Sequence, residues 1–399
     1  EKKRVEIMSK KLLMIPGPTE FNPVVLKELG QQTESHVSPK FIADFGSVLE
    51  NLRKVFLTKD GQPFVVSGSG TLGWDFLCAN LLEEGDKVLV LNTGYFSDSF
   101  AACAEAYGAT CTTIQAKVGG AVRADSDELK KALAATKDFK LIALTQVDTS
   151  TSVCNDIAGI SKYVRSVSPN SFIAVDGVCS IGAEELRFDA WDLDFCMTCS
   201  QKALGCPPGL SVMMSSQRLL KTVLARKSRV PAYFANMKRW LPIMTAYEAR
   251  KPSYFATPNV NLVSALKVAL DVLVKAGMEN VFKLHKSNAN KFRAAMSAIG
   301  LTFVPLSSDL YASTITAVRF PKGVTKMSLL PEIKKFGIVL AGGLHKDIKM
   351  EYFRVGHMGL SVMQPKLGHM EKTVAAIEKG LTAAGYKFES GKATSVFSA

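Results

Sequence analysis

Short apolar runs alternate with amphipathic segments along the chain from about residue 63 to residue 214. The runs are four to six residues long and are bounded by polar or turn residues, a pattern typical of buried strands. Strands that alternate with helices favour one mostly parallel sheet with helices on both faces. We therefore predict an α/β fold with a doubly wound sheet. The predicted strands are residues 63–66, 87–91, 110–115, 141–146, 172–175, 193–198 and 210–214.

Two of these strands end in residues that a buried strand does not need. The fifth is followed by Asp176, and the sixth is followed by Ser200, Gln201 and Lys202. Neighbouring parallel strands place their carboxyl ends on one edge of the sheet, which is where open α/β sheets bind ligands. Pyridoxal 5′-phosphate requires a carboxylate that keeps its pyridine nitrogen protonated and a lysine that forms an imine. Asp176 and Lys202 together therefore indicate that cofactor.

Three other strand ends carry residues suited to the same ligand. The first predicted strand leads into Ser67–Thr71, a glycine-rich turn that opens a helix and can point free backbone N–H groups at a phosphate. The second ends near Phe96, which can pack in the core or stack on a flat heteroaromatic ring. The fourth is followed by a hydroxyl-rich loop at 148–152. Their convergence on one edge is a stronger signal than any single motif.

The composition argues against several other classes of protein. The net charge of +13 comes from scattered lysines and arginines, so attraction of small anions is favoured over nucleic-acid binding. No apolar run reaches the roughly 18 residues that a membrane helix needs. The eight cysteines form no regular framework, and the thiols of Cys196 and Cys199 would point to opposite faces of a strand. We expect reduced thiols and no metal site.

The two ends of the chain bear on its compartment. Residues 1–11 are charged and lack the apolar core of a secretory signal, so we expect an intracellular protein whose natural start is Met8. The last three residues, Phe-Ser-Ala, do not match the peroxisomal Ser-Lys-Leu ending. Cytosol, mitochondrion and peroxisome stay open.

The second half of the chain predicts a smaller domain. Residues 226–260 look irregular and are rich in aromatic residues and proline, and two long helical patterns follow them. A mixture of short strands and helices then continues to about residue 388, which indicates an α+β domain. We divide the chain into an N-terminal arm at 1–24, a large domain at 25–276, a small domain at 277–388 and a loose tail at 389–399.

Five motifs together resemble the class V aminotransferases of the pyridoxal phosphate fold type I superfamily. Their order and spacing agree with that family from about residue 12 to residue 385. The motifs are Ile15-Pro-Gly-Pro18, Ser67-Gly-Ser-Gly70, Val175-Asp176, Ser200-Gln-Lys-Ala203 and Tyr352-Phe-Arg354-Val-Gly356. The resemblance implies a large domain with a mostly parallel seven-stranded sheet flanked by helices, and a smaller C-terminal α+β domain. It also implies a homodimer with active sites shared between the subunits, and no nucleic-acid or membrane partner.

The resemblance also implies a role for each residue of the site. Lys202 would be the Schiff-base lysine, and Asp176 would hold the pyridine nitrogen protonated. Arg354 would bind the substrate carboxylate through its two-pronged donor geometry, and Gly17 would line the substrate site. The other implied cofactor contacts are Ser69, Gly70 and Thr71 at the phosphate with Gln201 beside it, Phe96 on the ring face, Thr149 near the ring hydroxyl, and Tyr254 and Thr257 at the phosphate of the neighbouring subunit.

Two of these positions depart from mammalian members of the family. Those members carry histidine and tryptophan where this chain has Thr71 and Phe96. A hydroxyl can still donate to a phosphate, and phenylalanine can still stack on a ring. The departures therefore bear on cofactor affinity rather than on the class of reaction.

Within the family, the sequence is most similar to members that act on alanine, serine and glyoxylate, in particular the fungal ones. The implied reaction moves the amino group of L-alanine or L-serine to glyoxylate by a ping-pong mechanism, giving pyruvate or hydroxypyruvate and glycine. One alternative is a lyase or desulfurase of the same fold, with Cys206 as the nearest candidate for a catalytic cysteine. Another is a catalytically silent homologue that serves as a binding or structural dimer, although the presence of both Lys202 and Asp176 argues against it.

Overall fold

A computed structural model of the protein describes residues 10–399, so Met8 and positions 1–9 of the N-terminal arm lie outside the described residues. The strands are β1 Leu12–Leu13, β2 Gln62–Ser67, β3 Lys87–Asn92, β4 Thr110–Gln115, β5 Leu141–Thr145, β6 Phe172–Asp176, β7 Phe195–Cys199, β8 Leu210–Ser215, β9 Ile315–Arg319, β10 Ile338–Val339, β11 Ala341–Gly342 and β12 Tyr352–Gly356. The helices are α1 Pro23–Leu29, α2 Pro39–Phe56, α3 Thr71–Leu81, α4 Tyr95–Ala106, α5 Asp127–Ala135, α6 Ile157–Val167, α7 Gln217–Ala225, α8 Met237–Glu248, α9 Val260–Ala276, α10 Met278–Ala298, α11 Lys326–Lys335, α12 Leu360–Met363, α13 His369–Ala383 and α14 Lys392–Ser398.

The central sheet has seven strands in the order β2-β8-β7-β6-β5-β3-β4. Strand β8 runs antiparallel to both of its neighbours, β2 and β7, while the pairs from β7 through to β4 are parallel. Because β2 and β7 both oppose β8, they run in the same direction. The carboxyl ends of β2, β3, β5, β6 and β7 therefore meet on one edge, and the predicted mostly parallel α/β sheet is confirmed.

Strands β5 to β8 are buried along their whole length. This explains why they are continuous apolar runs in the sequence rather than alternating ones, because helices cover both faces of the sheet. Strand β4, at the edge of the sheet, is mostly exposed and rich in threonine. None of the described helices is both long and apolar enough to cross a membrane.

Helix α8 lies inside the stretch 226–260 that we expected to be irregular. The side chain of Asn236 accepts a hydrogen bond from the amide of Lys238 and so caps the start of the helix. Trp240 and Tyr247 are buried on its inner side. Pro242 within the helix removes one backbone donor and obscures the helical pattern in the sequence. The expectation of an irregular segment was wrong for these twelve residues.

The tail at 389–399 is not loose, and that prediction was wrong. It forms helix α14, which buries Ala393 and Phe397 in the hydrophobic core that also contains parts of α11 and α13. The carboxylate of Glu378 accepts a hydrogen bond from the amide of Ala393 at 2.8 Å and another from the hydroxyl of Thr394. A carboxylate at this position satisfies a free N–H of the first turn and interacts favourably with the helix dipole.

Two main hydrophobic clusters divide the chain. The first packs on the central sheet and extends from Val25 to Phe282. The second packs around β9 and β12 and extends to Phe397, and it includes Met14 of the arm. Helix α10 contributes to both clusters, so the boundary that we placed at residue 277 stays an interpretation. The arm itself is held by β1, which pairs in parallel with β10.

Candidate active site

A cavity of about 190 Å³ opens at the carboxyl edge of the central sheet. It is far larger than the volume of one water molecule, so it can hold an organic ligand. Its lining residues are Ser69, Gly70, Thr71, Trp74, Phe96, Thr145, Val147, Thr149, Asp176, Val178, Cys199, Gln201 and Lys202. The sequence-predicted cofactor residues between Ser69 and Lys202 all lie in this lining.

Asp176 ends strand β6 and is fully buried between β5 and β7. One carboxylate oxygen accepts a hydrogen bond from the amide of Val178 at 2.9 Å, and the other accepts one from the indole of Trp74 at 3.2 Å. Burial raises the pKa of Asp176 to about 6, against these two hydrogen bonds, which lower it. A cationic N–H group placed in the cavity would favour the ionised carboxylate.

Lys202 follows strand β7, and its side chain is held by the N-terminal arm. Its Nζ donates a hydrogen bond to the backbone carbonyl of Pro16. A Cβ atom on Gly17 would lie 2.6 Å from Cδ and 2.7 Å from Nζ of Lys202, so only a glycine allows this approach. Gly17 also has φ of +124°, which side chains disfavour. The arm thus forms a backbone wall beside the lysine.

The turn after strand β2 provides free donors. The amide of Gly68 is bonded to the carbonyl of Gly209 at 2.9 Å, which fixes the turn to the sheet. Helix α3 then begins at Thr71, and no side chain of the described residues caps its N-terminus. Backbone N–H groups at the start of a helix attract anions through hydrogen bonding and the helix dipole. The start of α3 therefore offers an anion site in the cavity lining.

Arg354 lies next to the cavity rather than in its lining. Its Nη1 donates to the carbonyl of Thr149 at 3.1 Å, and its Nε donates to the carbonyl of Gly342 at 2.8 Å. None of the ion pairs between described residues involves Arg354. Burial lowers the pKa of its guanidinium, which nevertheless stays charged at neutral pH. Since a guanidinium has five N–H donors, three are left for a carboxylate ligand.

The residues of the cavity fit pyridoxal 5′-phosphate. Lys202 supplies an amine, Asp176 a buried carboxylate, and the start of α3 an anion site. The side-chain oxygen of Gln201 is buried without a hydrogen-bond partner among the described residues, as expected of a polar group that contacts a ligand. Phe96 and Val178 add apolar surface for a ring. The donor set thus matches the aldehyde, pyridine and phosphate groups of this cofactor.

Sequence reasoning missed Trp74 and Val178. Trp74 lies three residues after Thr71, so both project from the same face of the first turns of α3. That spacing could have identified it. Val178 follows Asp176 by two residues and supplies both the amide that binds the carboxylate and a side chain in the cavity.

Tyr254 and Thr257 do not lie in the cavity of their own chain. The Tyr254 side chain is 63% exposed, and its ring packs against His36 with the centroids 5.1 Å apart. The role that the resemblance implies for this pair requires a second subunit, so it stays a prediction.

The surroundings of Cys206 do not suit a reactive cysteine. It is fully buried, and its Sγ lies 3.7 Å from the carbonyl of Leu262. Burial raises the pKa of this thiol to about 12, whereas a nucleophilic cysteine needs an accessible thiolate. The desulfurase alternative is therefore not favoured.

Comparison with known proteins agrees with the cofactor site described above. A family model described as aminotransferase class-V matches residues 26–364. The chain is similar to alanine–glyoxylate aminotransferase 1 of Saccharomyces cerevisiae, with 39% identity over 380 residues that cover 92% of this chain and 97% of that protein. It is also similar to the serine–glyoxylate aminotransferase of Hyphomicrobium methylovorum, with 30% identity over 354 residues that cover 87% of this chain and 85% of that protein.

A solved structure agrees in fold over nearly the whole chain. The crystal structure of alanine–glyoxylate aminotransferase from Nostoc sp. has a TM-score of 0.85 and 28% identity to this chain. The match covers 96% of this chain and 97% of that chain. The agreement in backbone therefore spans the segments that form both hydrophobic clusters.

Proposed function

Because the chain belongs to the class V aminotransferases, we propose that it transfers the amino group of L-alanine, or of L-serine, to glyoxylate. The products are pyruvate, or hydroxypyruvate, and glycine. The observation that carries the proposal is Arg354, a half-buried guanidinium with unused donors beside the cavity of Lys202 and Asp176. The names of the yeast and Hyphomicrobium relatives support the choice of alanine, serine and glyoxylate.

Pyridoxal 5′-phosphate is the cofactor of this family, and when bound it supplies an electron sink for the electron pair released at the substrate α-carbon. Asp176 would hold the ring nitrogen, and its own ionised state is favoured by the N–H donors of Val178 and Trp74. Ser69, Gly70 and Thr71 would bind the phosphate at the start of α3.

Lys202 is the proposed proton carrier. Its Nζ would accept a proton from the α-carbon of the amino donor and release it to the cofactor within the same half-reaction. In the second half-reaction the same nitrogen would carry a proton back to the α-carbon that becomes glycine. The Pro16 carbonyl and the bare backbone of Gly17 fix where that nitrogen lies. A proton donor and acceptor held in one position is what such a transfer requires.

Arg354 is proposed to bind the carboxylate that the amino donor and the oxo acceptor share. One carboxylate site used in turn by both substrates is consistent with a ping-pong mechanism. The guanidinium is held by two backbone carbonyls, so its remaining donors are oriented before a substrate arrives.

We further propose that the protein is a homodimer in which Tyr254 and Thr257 reach the phosphate of the partner subunit. The exposed Tyr254 ring supports this, because a large aromatic side chain at the surface is typical of an interface. Tyr254→Ala together with Thr257→Ala should weaken cofactor binding, and analytical ultracentrifugation of the wild-type protein should give the mass of a dimer. A monomer with full cofactor affinity would contradict the proposal.

A panel of amino donors against glyoxylate and pyruvate tests the function. With purified holoenzyme, alanine and glyoxylate should give pyruvate and glycine, and Lys202→Ala should abolish this reaction and the visible absorbance of the bound cofactor. Lys221→Ala, an exposed lysine on α7, is the matched control and should behave like wild type. A clear preference for another donor and acceptor would reject the substrates, and an inactive wild-type protein would reject the function.

A further inference from the structure

Tyr352 is completely buried at the start of β12, and its hydroxyl joins three segments of the chain. The oxygen accepts hydrogen bonds from the amides of Leu344 and His345, each at 2.9 Å. The same hydroxyl donates to the backbone carbonyl of Ser150. Its burial raises the pKa of Tyr352, so the phenol stays a donor over the working pH range. All the hydrogen-bonding capacity of this hydroxyl is therefore used.

Tyr352 and Arg354 project from the same face of β12, because alternate residues of a strand share a face. The residues between and after them, Phe353 and Val355, point the other way into the second hydrophobic cluster. The Ser150 carbonyl accepts from Tyr352, and the carbonyl of the adjacent residue, Thr149, accepts from Arg354. The two side chains thus bind consecutive peptide groups of one loop.

The segments on both sides of the Tyr352 hydroxyl are held close to it. A Cβ atom on Gly343 would lie 2.8 Å from a ring carbon of Tyr352, so the absence of a side chain there lets the 343–345 backbone reach the hydroxyl. On the other side, the carboxylate of Asp148 accepts from the amides of Ser150 at 2.7 Å and Thr151 at 3.0 Å, which makes the loop a tight turn. Because the turn is rigid, fixing its Ser150 carbonyl also fixes the neighbouring Thr149 carbonyl.

We propose that Tyr352 is a positioning residue for Arg354: by fixing the Ser150 carbonyl it holds the neighbouring 149–150 peptide, whose carbonyl binds Arg354, and so sets the affinity of the site for the substrate carboxylate. This inference rests on the proposed function, in which Arg354 binds that carboxylate. Loss of the hydroxyl leaves the Ser150 carbonyl and two amides without partners, and the loop and the guanidinium lose their fixed relative position.

The kinetic test is Tyr352→Phe in the holoenzyme. The KM for alanine and the KM for glyoxylate should both rise about tenfold, because both substrates use the same carboxylate site, while kcat changes less than about threefold. The matched control is Tyr386→Phe, which removes a hydroxyl that donates to the Ile299 carbonyl at 3.0 Å in the second cluster. The control should leave both KM values unchanged.

A double-mutant cycle shows whether Tyr352 acts through Arg354. In an Arg354→Ala background, Tyr352→Phe should cause no further rise in KM. Equal effects with and without Arg354, or an unchanged KM in Tyr352→Phe, would overturn the inference. A fall of about tenfold in kcat with unchanged KM values would also overturn the inference, since it would indicate a role in the chemical step.

A binding measurement on the wild-type holoenzyme avoids dependence on turnover and on the folding of a variant. Propionate, which carries a carboxylate but no amino group, should slow hydrogen–deuterium exchange at Leu344 and His345, because coupling between two sites is reciprocal. Propionate binding without any change at those amides would refute the positioning role. If propionate binds with the expected protection but alanine and glyoxylate do not react, the assigned substrates fail and the positioning role stands.

Discussion

The indole nitrogen of Trp74 lies 3.2 Å from the second carboxylate oxygen of Asp176, and both side chains line the same cavity. The first oxygen is held by the amide of Val178 at 2.9 Å. Asp176 is thus held at both oxygens, by donors from two different elements, α3 and the loop after β6. These two hydrogen bonds restrict rotation of the carboxylate, and its remaining lone pairs can accept a hydrogen bond from a ligand in the cavity.

Trp74→Phe should weaken cofactor binding to the apoprotein about tenfold. The change keeps an aromatic ring in the cavity wall but removes the N–H donor, so the ionised form of Asp176 loses a hydrogen bond of the charge-assisted kind. Equilibrium titration of the apoprotein with pyridoxal 5′-phosphate measures the dissociation constant. Trp191→Phe, outside the cavity lining, is the control and should bind the cofactor as wild type does.

Asp176→Asn should change how the stability of the apoprotein depends on pH. Because burial raises the pKa of Asp176 from 3.8 to about 6, the native state binds this proton more tightly than the unfolded chain does. The stability that it contributes is therefore complete below pH 4 and is lost as the pH rises through 6. The Asn variant has no buried charge to lose stability at pH 7, but its NH2 group cannot accept from one of the two N–H donors, so the expected signature is a flatter dependence of stability on pH rather than a fixed gain in stability.

Urea unfolding of the two apoproteins from pH 4 to pH 7 provides the measurement. The wild-type free energy of unfolding should fall across this range more steeply than that of the variant. Asp60→Asn, at an exposed position, should leave the wild-type slope unchanged. Parallel curves for wild type and Asp176→Asn would contradict the raised pKa.

Gly17→Ala should reduce kcat at least tenfold without unfolding the protein. A Cβ atom there would lie 2.6–2.8 Å from three atoms of the Lys202 side chain, which must then leave the Pro16 carbonyl. Gly323→Ala is a matched control, since Gly323 also has a positive φ, +83°, but has no atom within 4 Å of the added carbon. Equal loss of activity in both variants would show that backbone strain, and not contact with Lys202, is responsible.

Phe397→Ala should destabilise the protein by about 3 kcal/mol, because it removes a large side chain from a packed core. Phe397 is only 5% exposed and anchors α14 to the second hydrophobic cluster. The midpoint of urea unfolding measures the effect, and Ser398→Ala, exposed on the same helix, is the control. An unchanged midpoint would mean that α14 contributes little, as expected of a loose tail.

The sheet and the positions of Asp176 and Lys202 could be predicted from the sequence for one physical reason. Strands covered on both faces are short, continuous apolar runs, so a charged residue directly after one marks the edge of the sheet. Trp74 could not be recognised in the same way. A tryptophan in a helical segment gives the same sequence pattern in two different cases. Its indole can pack in a core, or it can donate to a carboxylate 102 residues away in the chain.

The helices α8 and α14 were missed for different reasons. Pro242 interrupts the pattern of α8, although tertiary burial of Trp240 and Tyr247 stabilises the helix. Helix α14 has only seven residues, too few for a clear period, and it depends on Glu378 and on a core formed by distant segments. Both helices are stabilised by packing against distant segments, and the local sequence pattern does not reveal that packing.

The pairing of β1 with β10 has a consequence for the order in which the chain becomes functional during synthesis. Leu12 pairs with Ile338, whereas the seven strands of the central sheet are all complete by Ser215. A nascent chain can therefore fold its sheet long before the partner of its arm has left the ribosome. Until then the segment that carries the Pro16 carbonyl is bonded to the Lys202 region at one end, through Thr19 and the Gln201 carbonyl, while its other end lacks a partner strand. Ribosome-bound chains should reach a folded sheet first and retain the cofactor only after residue 339 has emerged.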